Sequence, residues 1–182
     1  MYGANISYLF GNKLKESGVL DSIKTADGHV INQNGIYAEV RLFERGFTGA
    51  LNFGRLFNIW NRNPNSGIFF MAGAGFIQHK IKIDDIGNAS PQLSKEMKKG
   101  YDRLTNGFAV TESIGYLFLG NKKTINFFGC IDVMQGFTEG RREWDYDLMR
   151  SDSGKRFDLL YGIRFGWILP LYKRTPDLYY YY

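Results

Sequence analysis

Residues 158–174 read DLLYGIRFGWILPLYKR. Every second residue from Leu159 is large and apolar: Leu159, Tyr161, Ile163, Phe165, Trp167, Leu169 and Leu171. The intervening set is mixed: Asp158, Leu160, Gly162, Arg164, Gly166, Ile168 and Pro170. A strand puts two such sets on opposite faces of a sheet. This segment therefore demands a cover for one long apolar face, and only a protein core or lipid can supply it.

The same period of two recurs. GFAVTESIGYLFLG separates Phe108, Val110, Ile114, Tyr116 and Phe118 from Gly107, Ala109, Thr111, Ser113 and Gly115. INFFGCIDVMQGFTEGRR separates Ile125, Phe127, Ile131, Val133 and Phe137 from Asn126, Asp132, Gly136, Thr138 and Arg142. GFTGALNFGRLF sets Phe47, Leu51, Phe53 and Phe57 against Thr48, Ala50, Asn52 and Gly54. GIYAEVRLFERGF extends that strand upward, with a phase slip expected near Glu44–Gly46. GIFFMAGAGFIQHKIKI reads in either phase, and a bulge would reconcile the two. YGANISYLFGNK is a sixth strand of low contrast. Short links, 58–66 and the NKKT turn at 121–124, alternate with long ones at 14–35, 85–106 and 145–157. That is the layout of an outer-membrane barrel. Within the first long link, Asp27-Gly28 in IKTADGHVI is a hairpin turn.

Lipid is the expected cover. A soluble binding barrel carries Lys and Glu outside. Here the intervening sets are mostly Gly, Ala, Ser, Thr and Asn, which suit a narrow, packed lumen. The aromatic residues make up 16% of the chain and suit interfacial girdles. No apolar run is long enough for a membrane helix. The expectation is an all-β, antiparallel up-and-down transmembrane β-barrel. Asp132, Arg164 and Arg142 are its candidate lumen charges. Phe127, Ile131, Val133, Ile163, Phe165 and Trp167 are its candidate lipid-facing residues. Glu112 and Gln135 fall on the lipid side, where a carboxylate is costly, so a bulge or an interfacial depth is expected there.

YGIRFGWILPLY resembles the C-terminal strand that outer-membrane barrels present to their assembly machinery. GYLFLGNKKTINFFGCIDVMQGFTEGRR and YAEVRLFERGF are similar in style to small outer-membrane barrels of Bacteroidota. These include OmpA-like barrels and PorT-like accessory barrels linked to secretion and gliding. The resemblance covers most of the chain as style, and KRTPDLYYYY after the strand departs from it. It implies an outer-membrane location and eight strands, and it carries over no catalytic residue. Six strands and a start, MYGANISYLF, without a signal peptide lead to the expectation that the N-terminus is incomplete. Residues 1–174 then form the barrel domain and 175–182 a short tail.

Chemistry is sparse. An outer-membrane barrel enzyme needs a nucleophile, a base and an orienting group. The two histidines, His29 and His79, show no Ser-His spacing; the first is expected in a solvated loop and the second bonded at the rim. Asp84, Asp85 and Asn88 are oxygen donors of the type calcium takes, but they follow no calcium-loop pattern. Lys95, Lys98, Lys99 and Arg103 suit either lipopolysaccharide phosphates or a solvated loop. In GRREWDYD, Arg141 and Arg142 stand beside Glu143, Asp145 and Asp147, so local ion pairs are expected. Cys130, the only cysteine, is expected in the lumen beside Asp132. The net charge of +5 is spread over loops and does not point to nucleic acid. No catalytic, cofactor or metal residue is expected. The expected function is a structural or accessory subunit of an envelope secretion or assembly machine, among outer-membrane lipid, lipopolysaccharide and other envelope proteins. A pore, a lipid-modifying enzyme and a soluble barrel binding a hydrophobic ligand are the alternatives.

Overall fold

The alternating segments all become strands, because period two leaves each strand one apolar and one small or polar face. The computed structural model describes residues 1–14, 16–58, 63, 65–87, 89–120 and 126–169. Its strands are β1 (Tyr2–Gly11), β2 (Val30–Ile31), β3 (Tyr37–Ala38), β4 (Val40–Phe57), β5 (Gly67–Asp85), β6 (Thr105–Leu119), β7 (Asn126–Gly140), β8 (Arg142–Asp145), β9 (Arg150–Asp152) and β10 (Lys155–Trp167). Six of them form one antiparallel sheet in the order β1-β4-β5-β6-β7-β10. The expected meander is thus present. The NKKT turn, the end of the last apolar run and the proposed tail boundary lie outside the described residues.

Two expected irregularities are absent. β4 pairs β5 without interruption from Val40↔Asp85 to Phe57↔Ile68, so there is no phase slip near Glu44–Gly46. β5 also pairs β6 in one register, Gly67↔Leu117 to His79↔Thr105, so no bulge re-phases it. Phe70, Ala72, Ala74 and Phe76 face out, while Phe69, Ile77, Ile81 and Ile83 are buried. The ambiguity arose because glycine and alanine occupy both faces of this strand.

The concave face is crowded. A Cβ on Gly75 would run into the carbonyl of Gly49, and one on Gly115 into that of Gly129. Glycine at these positions lets neighbouring strands curl together. At the end with short links, Phe69, Leu117 and Cys130 form a small core, packed by Leu56, Met71, Leu119, Phe128 and Ile168. At the other end the long links fold into a cap. Val19, Leu20, Val30, Leu93 and Tyr101 pack there on Ile81 and Ile83 of β5. The Asp27-Gly28 turn is formed inside this cap, with a Lys24↔Val30 bridge and the β2–β3 pair beside it.

The convex face carries two aromatic belts. Phe47, Phe76, Phe108, Phe137 and Phe157 form the one nearer the cap. Phe57, Phe118, Phe127 and Trp167 form the other. Phe47 and Phe57, Phe108 and Phe118, Phe127 and Phe137, and Phe157 and Trp167 are each ten residues apart. Ring contacts run along both belts: Phe47–Phe76 at 6.0 Å, Phe137–Phe157 at 5.6 Å and Phe127–Trp167 at 6.4 Å between centroids.

Among the described residues no closed barrel is formed. In this sheet β1 pairs only with β4 and β10 only with β7. The exposure of one residue type records the missing neighbours. Ile6 on β1 is 87% exposed and Ile163 on β10 is 71%, against 54% for Ile114 and Ile131 on inner strands. Asn5, Ser7 and Leu9 of β1 nevertheless line the same cavity, about 240 Å³, as Leu160 and Arg164 of β10. The inward faces of the two edge strands therefore open on one cavity.

Candidate functional site: the polar lumen and its cap

Small residues on the concave face leave room for longer polar ones to bridge strands. Asn52 Nδ2 donates to Asn5 Oδ1 at 2.8 Å, and Thr111 Oγ1 donates to Asn52 Oδ1 at 2.6 Å, which links β1, β4 and β6. One level on, Asp132 faces Ser113 across the β6–β7 ladder and Gly162 across the β7–β10 ladder. Gly162 has no side chain, so Arg164 leans diagonally across it. Arg164 donates to Asp132 Oδ1 at 2.9 Å, and Ser113 Oγ donates to the same oxygen at 2.5 Å. Cys130 is buried, with its thiol 3.6 Å from that carboxylate. Arg164 keeps 44% of its side chain exposed, because it lines the cavity between the edge strands.

Nearer the cap, His79 Nε2 lies 3.0 Å from Asp158 Oδ2 and 2.9 Å from Thr105 Oγ1, and Thr138 Oγ1 donates to Asp158 Oδ2 at 2.6 Å. A carboxylate only accepts, so Nε2 carries a hydrogen. Acid and hydroxyl meet the same ring nitrogen. A nucleophile–base–acid relay needs them on opposite nitrogens, so this cluster is a tie and not a catalytic relay. His29 lies exposed in the cap and stacks on Tyr37 at 4.6 Å.

The structure brings Asp132 and Arg164 together and separates Arg142 from them. Arg142 is not a lumen charge. It starts β8, in the cap, where it grips Asp102 through Nε at 2.7 Å and a terminal nitrogen at 2.5 Å. That bond holds the guanidinium above its usual pKa, against the lowering effect of burial. Of the GRREWDYD charges, among the described residues, only Arg141 pairs locally, with Glu139 at 3.9 Å; the acids Asp145 and Asp147 do not. Arg103, from the preceding long link, lies 3.6 Å from Asp145 and 3.8 Å from Asp147, and it also reaches Glu16 at 3.0 Å. Arg103 thus leaves the basic loop in which its neighbours Lys95, Lys98 and Lys99 stand. Alternation sends Asp84 outward and Asp85 inward to the Ser90 amide, so the two do not converge on one ion. Asn88 lies outside the described residues.

Phe127, Ile131, Val133, Ile163, Phe165 and Trp167 all sit on the convex face. So does Glu112: it lies opposite Ala72 and Val133 in unbroken ladders, exposed, with no bulge to turn it inward. Along β6 it lies between the outward Phe108 and Phe118. Between the belts the convex face is otherwise apolar, apart from Arg55 and Gln135 among the charged and amide side chains.

Sequence reasoning missed the Asp158–His79 tie and the Arg142–Asp102 pair. Alternation gives the face of Asp158 but not its partner three strands away. Comparison of this chain with protein-family models, curated proteins and solved structures returned no match.

Proposed function

We propose that this chain is a small outer-membrane β-barrel protein with a side-chain-filled lumen, acting as a structural or accessory subunit of an envelope secretion or assembly machine. The observation that carries the reading is the pair of aromatic belts. Ten residues at ~3.3 Å each span about 33 Å along a strand. A strand tilt of ~35–45° reduces this to roughly 25 Å, the height of a barrel's apolar band. A soluble sheet has no reason to repeat that interval on four strands of its exposed face.

A further antiparallel hairpin between β1 and β10 completes the barrel. β1 and β10 run in opposite directions, so an odd number of added strands would leave one parallel pair, whereas two close the ladder antiparallel and give eight. Eight strands leave a lumen wide enough only for side chains, and the Asn52, Asp132 and His79 networks occupy it. The cap, tied by Arg103 and Arg142, presents a folded surface beyond one belt, suited to contact with other envelope proteins. The barrel-enzyme alternative gains nothing from the His79 cluster, whose geometry lacks a relay.

The test is fractionation and reconstitution of the full-length protein. Flotation with phosphatidylcholine vesicles, a heat-modifiable gel band and negligible conductance in planar bilayers are expected. Recovery of a soluble protein that does not float would overturn the reading, and steady conductance would replace the filled lumen by a pore.

A further inference from the structure

From a second feature of the convex face we infer a binding site for the phosphate of a lipid headgroup, formed by Arg45, Lys80 and Lys82 just beyond the cap-side belt. The inference rests on the membrane reading above and gives it a specific lipid contact. β4 and β5 extend past the other strands of the sheet. Their outward residues there are Arg41 and Phe43 on β4 and Lys80, Lys82 and Asp84 on β5, with Arg45 opposite Phe10 of β1 and Gln78 opposite Asn106 of β6 just below. The register sets Arg45 against Lys80, Phe43 against Lys82 and Arg41 against Asp84.

Of the two acids at the far end of this patch, Glu39 is engaged in an ion pair and Asp84 stands beside Lys82 on the same face. Glu39 accepts from Arg41 at 3.0 Å and 2.5 Å, and Asp84 lies opposite the same arginine. Arg45 and Lys80 remain as a directly opposed pair of cations with Lys82 beside them. Like charges facing each other across a ladder destabilise it. Arg45 spends one nitrogen on the carbonyls of Gly11 and Glu44 and stacks over Phe43 at 4.8 Å. Lys80 and Lys82 are exposed, and among the described residues neither has an acid or acceptor. An anion between the three relieves the repulsion and accepts charge-assisted bonds from each.

Position selects the anion. Phe47 and Phe76 lie directly below, so the cations stand one to two pleats above the apolar band, at headgroup depth. A phosphorylated lipid there places its phosphate among the three cations and its chains along the belt. Free phosphate would use the charge and not the belt. The basic loop of Lys95, Lys98 and Lys99, the obvious choice from sequence, belongs to the cap.

The experiment reconstitutes the full-length protein and its Arg45→Gln/Lys80→Gln/Lys82→Gln variant into phosphatidylcholine vesicles doped with a phosphorylated lipid. Lipid co-purifying after detergent extraction is then counted by phosphorus analysis and native mass spectrometry. The wild type is expected to retain the phosphorylated lipid and the triple variant to lose about tenfold in retention. A Lys95→Gln/Lys99→Gln variant should match the wild type, and a heat-modifiable band should show all three folded. Equal retention by the triple variant would overturn the site, as would displacement of the lipid by millimolar inorganic phosphate alone. Failure of the wild type to float with undoped vesicles would instead remove the membrane reading, and this site with it.

Discussion

His79 and Asp158 meet at 3.0 Å although β6 and β7 lie between their strands. In a flat sheet these side chains would stand three strand spacings apart, about 14 Å. Their contact is a chord across the lumen, and it requires the sheet to curl as part of a cylinder. A double-mutant cycle with His79→Ala and Asp158→Ala measures that chord. A coupling of about 1–3 kcal/mol is expected from a charge-assisted bond in a half-buried site. A coupling near zero in the heat-modifiability or urea midpoint would mean that the sheet is open in solution.

Arg164→Leu should lower the temperature at which the folded gel band is lost, while Lys98→Leu changes it little. Arg164 is the cation of the Asp132–Ser113 cluster, and its removal leaves a partly enclosed carboxylate without its ion pair. Full burial would set the cost at about 3–5 kcal/mol; the exposed half of Arg164 reduces this to roughly 1–2 kcal/mol. Equal behaviour of the two variants would show that Arg164 is solvated through the cavity it lines and that the lumen is wetter than proposed.

Glu112→Leu should raise the stability of the reconstituted protein. The carboxylate lies between Phe108 and Phe118 on the apolar face, nearer Phe108, and lacks a partner among the described residues. If the convex face meets lipid as proposed, its removal is expected to gain roughly 1–2 kcal/mol, less than the penalty for a midplane lysine or arginine. Urea titration in vesicles reads the change. A loss of stability would show that Glu112 contacts a partner or faces water.

Arg103→Ala should loosen the cap and spare the barrel. Arg103 reaches Glu16, Asp145 and Asp147, and the last two carboxylates are almost fully enclosed. Without it, buried acids from one long link face the acid of another uncompensated. Limited proteolysis should cut within 86–104 and 145–154 at a higher rate, while the heat-modifiable band persists. Unchanged cleavage would mean that the apolar cluster around Leu20 and Tyr101 holds the cap alone.

Alternation by itself determined the six long strands, their order as a meander, and the faces of β6, β7, β10 and the 47–57 part of β4. It could do so because a strand has one degree of freedom, its phase, and Ile131, Asp132 and Val133 fix that phase for a whole segment. Asp132 and Arg164 fall on the small-residue face from sequence for the same reason, and the register of the structure joins them. Only the tertiary structure decided the rest. The ladders run unbroken where glycine and alanine on both faces of β5 had left the phase open, and so Glu112 stays outward. Arg142 joins the cap and Arg103 leaves the basic loop. An ion pair between two links depends on where the loops between strands return, and loop sequences carry no period to say so. The His79–Asp158 chord depends on the curl of the whole sheet, which arises from the sum of close approaches such as Gly75 on Gly49 and has no signature in any single segment.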